Sequence, residues 1–451
     1  MPKKLLAAAA AAVLVPIAAL AHDDGKGNII MPAFELLQQE FSNVVAANAN
    51  PKSNAPKGFA PCINGMAAKT YPCDGVDMMS HLDLTDLNSV FVNDIWGWTD
   101  PLTRRDYALV GQAEGVTIVD ITDPKRPEII GLLPARFDTA NIIWRDMKVY
   151  QDHMYVVSED LGSGLQVMDL RDVRAYKGSP LTFSAVATRD DYNHSHNIAI
   201  NEATGYAYVI GADICNGGLV MYDISTPDNP VYSGCGSNTY VHDTQCVIYS
   251  GPDSAYSGRE ICFNSAAEVV AGGFSPATFR NTLEIVDVTD KAAPVQLGEF
   301  EYPLDGYSHQ GWLSSDQSVF FHNDELDEFS SAFSFPELNT TTRIFDVSDL
   351  TNPGLINAVD HGTTSIGHNA YTEGDHLFAA NYTTGLRVYD TSVADAGHLP
   401  ELAWFDVYPE NDNNTFEGGA WSSYPFFRQK KIVAVSSSER GLFVLRPRIG
   451  N

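Results

Sequence analysis

Four successive apolar segments of this chain open on histidine: His196-NIAIN, His242-DTQCVIY, His309-QGWLS and His368-NAYTE. Comparable segments open as Asn93-DIWGW, Arg145-DMKVY and Glu417-GGAWS, so one polar residue recurs at the same place seven times. A second polar position, mostly acidic, follows each: Glu114, Glu159 with Asp160, Asp213, Glu268, Asp324 with Glu325, Asn381 and Glu439. Imidazole nitrogens and carboxylate oxygens together suit divalent cations. The candidate metal set is His196, His242, His309, His368, Glu417, Asp94, Glu159 and Glu268. The run His322-NDELDE adds a candidate calcium loop, Asp324, Glu325, Asp327 and Glu328, since hard cations take clustered oxygens. A competing reading leaves all these groups hydrated or bonded to neighbouring segments. Catalytic signatures are absent: there is no G-x-S-x-G, H-E-x-x-H, phosphate loop or dinucleotide fingerprint, and no nucleotide cofactor is expected.

The elements that position these residues are written as a repeat. Glu114–Pro134 reads strand, Asp-Pro turn, strand. The same text returns from Gly164, Gly218, Thr282, Thr341, Gly385 and, truncated, Gly441. An aspartate lies five residues after the opening small residue in six copies (Asp120, Asp169, Asp223, Asp287, Asp346, Asp390), and Arg446 replaces it in the seventh. Intervals of 44–64 residues suit four short strands, which predicts an all-β, seven-bladed propeller over residues 79–447. The last copy lacks a fourth strand, so His81–Leu84 is expected to close that blade from the N-terminal side. Innermost strands line the axial channel, and the histidines should meet at one rim of it. The repeat aspartates are expected to cap turns. Trp96, Trp98, Trp144, Trp312 and Trp421 are expected in packing rather than in sugar stacking.

Met1–Ala21, with Lys3 and Lys4 ahead of an uncharged Ala/Leu/Val run, reads as a secretory signal peptide cleaved near Ala21. Residues 22–78 then form an extension with a short helix over Phe34–Val45 and a cysteine loop. No further stretch is long and apolar enough to span a bilayer, so no transmembrane anchor is expected. A net charge of −29 argues against nucleic acid as a partner. Six cysteines in an exported chain should pair. Proximity suggests Cys62–Cys73, Cys215–Cys235 and Cys246–Cys262 among the fifteen possible arrangements.

The phrases NDIWGWTDP (93–101), EGVTIVDITDPKRP (114–127), WRDMKVYQDHMYVVSE (144–159), HNIAINEATGYAYVIG (196–211), HDTQCVIYSGPD (242–253), GREICFNSAAE (258–268), FHNDELDE (321–328) and WSSYPFF with ERGLFVL (421–445) resemble the choice-of-anchor B family of exported bacterial proteins with LVIVD-type repeats. The resemblance implies an extracellular β-propeller and supplies no chemistry. This chain shows no recognisable anchor of that family, and Arg428-QKK stands where a short Pro-Ser-Gly turn is usual. Two functions follow. One is a non-catalytic, monomeric, secreted or periplasmic propeller presenting a cation-bearing rim to an extracellular protein or glycan. The other is a metal-dependent, lactonase-like hydrolase with an axial His/carboxylate site. An ion held by loop carboxylates alone favours the first, and one held by the histidines favours the second.

Overall fold

The computed structural model describes residues 43–48, 56–137, 143–237, 239–269, 279–328 and 338–450, with only the backbone of Glu268, Val269 and Phe279. The expected signal peptide lies outside these residues. So does most of the helix expected over Phe34–Val45; residues 43–48 are helical.

The described strands form seven sheets, six of them built on four antiparallel strands in chain order from one repeat; Leu181–Thr182 adds a short parallel strand outside Glu128–Pro134 of blade 1. In blade 1 the order is Val92–Thr99, Asp106–Gln112, Gly115–Asp120 and Glu128–Pro134, running from the channel outward. The innermost strands of successive blades pack side by side around the whole ring, and Ala420–Phe427 of blade 7 closes against Val92–Thr99. Alternation gives each sheet two apolar faces. The core is therefore a set of layers between blades, such as Val119, Ile121, Ala434 and Val444 between blades 1 and 7.

The outer strand of blade 7 is Val76–Leu82, antiparallel to Gly441–Pro447, with His81 opposite Phe443. The strand thus starts earlier than the expected His81–Leu84 and stops before Asp83. Asp83 and Asp86 form a reciprocal capping box that starts the helical turn Leu84–Leu87, so Leu84 leaves the sheet. The cysteine loop just upstream also joins the ring. Tyr71–Asp74 adds a fifth strand outside Glu401–Phe405 of blade 6, and Met66–Ala67 a sixth. Both additions cover strand edges that would otherwise recruit other chains.

The repeat aspartates serve the turns. Asp120, Asp169, Asp223, Asp287, Asp346 and Asp390 each accept the backbone N–H two residues on, at 2.8–3.0 Å. Three disulfides join Cys62–Cys73, Cys215–Cys235 and Cys246–Cys262, the local pairs expected from spacing. Such bridges fit an oxidising, non-cytoplasmic compartment. Among the described residues no helix is long and apolar enough to cross a membrane.

Candidate metal centre at the channel rim

Bulges aim the rim side chains. In blade 4, Val241 pairs with Ala266 and Asp243 with Ser265, leaving His242 as the extra residue. In blade 5, Ser308 pairs with Asp324 and Gln310 with Asn323, leaving His309. A bulge turns its extra side chain out of the regular alternation, here toward the axis. His196 and His368 stand at the same position of blades 3 and 6, just ahead of their inner strands. The four rings form an arc, with centroid separations of 4.4 Å (His196–His242), 4.1 Å (His242–His309) and 4.3 Å (His309–His368).

Glu325 completes the arc. Its carboxylate lies 3.6 Å from His309 Nε2 and 3.4 Å from His368 Nε2, and it accepts the Tyr382 hydroxyl at 3.0 Å. His242, His309 and Glu325 each offer one ligand atom within 4.8 Å of the others, the one such group of three among the described residues. Separations of 3.4–3.6 Å are long for hydrogen bonds. The 3.6 Å between Glu325 and His309 Nε2 is close to the roughly 3.4 Å between two donors bound tetrahedrally at about 2.1 Å to one ion.

The hydrogen bonds fix the tautomers. His242 Nδ1 lies 2.9 Å from the carbonyl of His309, and His368 Nδ1 lies 2.5 Å from that of Trp421. A carbonyl only accepts, so each Nδ1 carries the proton and each Nε2 keeps its lone pair. Metal-ligating histidines are commonly held in this way. His309 Nδ1 is buried without a partner.

Charge follows burial. Desolvation, with the neighbouring imidazoles, holds His242 and His309 well below 6.5, and desolvation carries His368 down to about 3. All three are neutral at pH 7, the state a metal requires. Burial also opposes charge on His196, but Glu159, 2.6 Å from Nδ1, raises it above 6.5. His196 and Glu159 thus form a hydrogen-bonded pair at one end of the arc. Burial pushes Glu325 up to about 7.

The other expected site residues disperse. Glu417 is exposed in the loop ahead of blade 7, and the bulged residue between Ala420 and Ser422 is Trp421, which takes the rim position instead. Glu268 pairs with Arg280 in the ladder, and its side chain lies outside the described part. The acidic loop does not gather its carboxylates on one point. Asp324 accepts from the Tyr302 hydroxyl and the amides of Gly306, Tyr307, Leu326 and Asp327. Asp327 pairs with Arg343, while Glu328 accepts from the amides of Thr341 and Gly367. Only Glu325 turns to the histidines. Glu114 and Glu439 likewise bind backbone amides, those of Val90 and Gly419.

Asp94 belongs to a second tier, one residue further into the channel. There Asp94, Asp146 and Asp243 each hold the next backbone amide at 2.6–2.7 Å, and Lys148 bonds Asp146 at 2.6 Å and lies 4.6 Å over the Trp96 ring. Burial, then the Asp146 charge, pushes Asp94 up to about 6. The folded state therefore binds this proton more tightly than the unfolded one. The stability it brings is complete below about pH 4 and lost as pH rises through 6. The rise from 3.8 corresponds to a ceiling of about 3 kcal/mol. Asp94→Asn should accordingly melt above wild type at pH 8, with the advantage shrinking toward pH 4.5. Equal shifts at both pH values would show that the carboxyl is not strained.

The LVIVD repeat matches residues 104–133, 194–235 and 270–301. This chain carries LVIVD repeats. No curated protein matches it. The WD40 repeats of RRP9 superpose with a TM-score of 0.51 at 10% identity, covering 86% of this chain and 98% of theirs. U3-55K gives 0.50 at 10%, covering 84% and 99%. A protein from Lactobacillus plantarum gives 0.48 at 14%, covering 71% and 84%. At such identities the likeness of RRP9 and U3-55K concerns the fold, a ring of four-stranded blades, and says nothing of the rim.

Proposed function

We propose that this chain is an exported propeller of the choice-of-anchor B type, led by a signal peptide at Met1–Ala21. Its channel rim binds one divalent transition-metal ion through His242, His309 and Glu325, and the ion serves hydrolysis of a bound organic molecule. The observation that carries this is the convergence of two neutral imidazoles and one carboxylate. Nitrogen donors disfavour calcium and suit zinc, iron or manganese. Three protein ligands leave a position for water or substrate, as catalytic rather than structural sites do. Bound there, the ion would act as a Lewis acid and lower the pKa of that water.

A metal-free binding propeller, engaging an extracellular protein or glycan, is favoured by one observation. Glu325 sits at about 7 and is already bonded by Tyr382, so a proton can satisfy it in place of an ion. Elemental analysis of the purified mature protein, with zinc and manganese titrations, separates the two. One tightly bound equivalent, whose removal by chelator abolishes hydrolysis across an ester and lactone panel, supports the enzyme. No ion and no binding at micromolar metal leaves the binding propeller.

A further inference from the structure

At the end of the inner strands opposite the histidine rim, a lysine, an asparagine and a glutamate meet between blades 3 and 4. Asn201 is the last residue of the blade 3 inner strand Asn197–Asn201. Glu260 opens the second strand of blade 4, Glu260–Val269, and Lys291 lies in the turn after its third strand, Phe279–Asp287. One carboxylate bridges the other two groups. Glu260 Oε2 accepts from Lys291 Nζ at 2.5 Å, and Oε1 accepts from Asn201 Nδ2 at 2.7 Å. The hydroxyls of Thr204 and Tyr208 hold Oε1 at 2.7 and 2.6 Å, and the Val288 carbonyl holds the amine at 2.7 Å. Asn201 and Glu260 are only 5% and 3% exposed. The amine lies 4.2 Å over the Tyr206 ring and 5.9 Å over that of Tyr208.

Two details set this constellation apart from an ordinary buried ion pair. The asparagine carboxamide is oriented, because its Oδ1 accepts the backbone N–H of Ala203 at 3.1 Å and its nitrogen must then face Glu260. The lysine also departs from the repeat: Asp120-ITDP in blade 1 becomes Asp287-VTDK in blade 4, so Lys291 stands where Pro124 does. The joint between blades 7 and 1 supplies the comparison. There Lys430 Nζ lies 2.6 Å from Asp106, which opens the second strand of blade 1 as Glu260 does that of blade 4. Asp106 accepts the Thr99 hydroxyl, and among the described residues no side-chain amide bonds to it.

We infer that Lys291 and Asn201 join in an autocatalytic isopeptide bond that staples blade 3 to blade 4, with Glu260 carrying the protons. Glu260 takes a proton from the Lys291 ammonium, and the freed lone pair attacks Cγ of Asn201. Negative charge gathers on Oδ1, where the Ala203 N–H already donates. Glu260 delivers its proton to Nδ2 and takes a second from the attacking nitrogen. The Cγ–Nδ2 bond breaks, ammonia leaves and accepts that proton, and a neutral secondary amide remains with Glu260 ionised again. No oxidant, metal or cofactor enters the balance. Folding itself supplies the driving arrangement, since it holds amine, carboxamide and base together out of water.

Intact mass spectrometry of the mature, fully reduced protein, with tandem mapping of its digest, reads the bond directly. Wild type should be lighter than its sequence by one ammonia, with the loss on a branched peptide that joins Asn201 to Lys291. Lys291→Met and Glu260→Gln should each restore the full sequence mass. Lys291→Arg keeps the cation beside Glu260 and covers the case in which the methionine variant fails to fold; it too should carry the full mass. Lys430→Met, at the comparison joint, should leave the ammonia loss in place. Folded wild type at its full sequence mass overturns the inference and leaves Glu260 as an ion-pair acceptor. An ammonia loss that survives Lys291→Arg overturns it as well, because the loss would then come from asparagine chemistry elsewhere in the chain.

Discussion

Replacing His242 and His309 together with alanine is expected to weaken divalent-ion binding at least a hundredfold at pH 7.5 while leaving the propeller folded. Outer-shell partners alone are worth 10- to 100-fold in metal affinity, and these two are direct ligands. They supply two of the three donors that converge within 4.8 Å. Neither is needed to close a blade, because each occupies a bulge whose flanking pairs, Val241 with Ala266 and Ser308 with Asp324, do not involve it. The ladders should survive, with melting lowered by a few degrees through two small cavities and the lost bond from His242 Nδ1 to the His309 carbonyl. Glu417→Ala is the matched control. That side chain is exposed and is not among the three converging donors, and its removal should leave ion affinity unchanged. Calorimetric titration with zinc and manganese reads all three proteins. Equal affinity in the double variant and wild type would end the metal assignment at this rim.

The contrast between Glu417 and Glu325 shows where the sequence was legible. Repeat spacing and the D-x-S/T turns announce seven blades, because each aspartate does a local job that needs only the amide two residues on. Cysteines close in sequence found each other for the same reason. The histidines share a strand register, which period-2 geometry carries around the ring. A bulge breaks that period without any sign in composition. Glu417 therefore aligned by its spacing from the strand, when Trp421 was the bulged residue. Nor could spacing say which of four clustered acids would face the axis. That choice belongs to Asp324, whose carboxylate collects the amides of Gly306, Tyr307, Leu326 and Asp327 and so turns the adjoining Glu325 toward the histidines. The second-tier acids Asp146 and Asp243 each follow a rim residue directly, so a register of next residues would have found them beside Asp94.

Arg343→Met is expected to be among the most destabilising single changes in the chain. Arg343 is only 1% exposed. Its guanidinium pairs with Asp327 at 2.8 Å, donates to the Leu304 carbonyl at 2.7 Å and lies 4.6 Å over the Tyr302 ring. Burial opposes its charge, but Asp327 and Asp324 more than offset that and hold its pKa above the ordinary arginine value. Methionine keeps the stem's packing and removes the cation, leaving Asp324 and Asp327 buried beside Glu328 with no counter-charge. Breaking a buried pair from one side costs about 3–5 kcal/mol. The damage should not stop at stability, because Glu325 lies between Asp324 and Asp327 in the strap that Arg343 braces. Loosening that strap should misplace the carboxylate against His309 and His368. The variant is therefore expected to lose both melting temperature and ion affinity. Asp327→Asn, which keeps Arg343 bonded to Leu304, should do less to each. Urea titration and zinc calorimetry on the two variants provide the check. If Arg343→Met lost stability but bound zinc as wild type does, the strap would be structural only, and Glu325 would be held at the rim by Tyr382 and the histidines themselves.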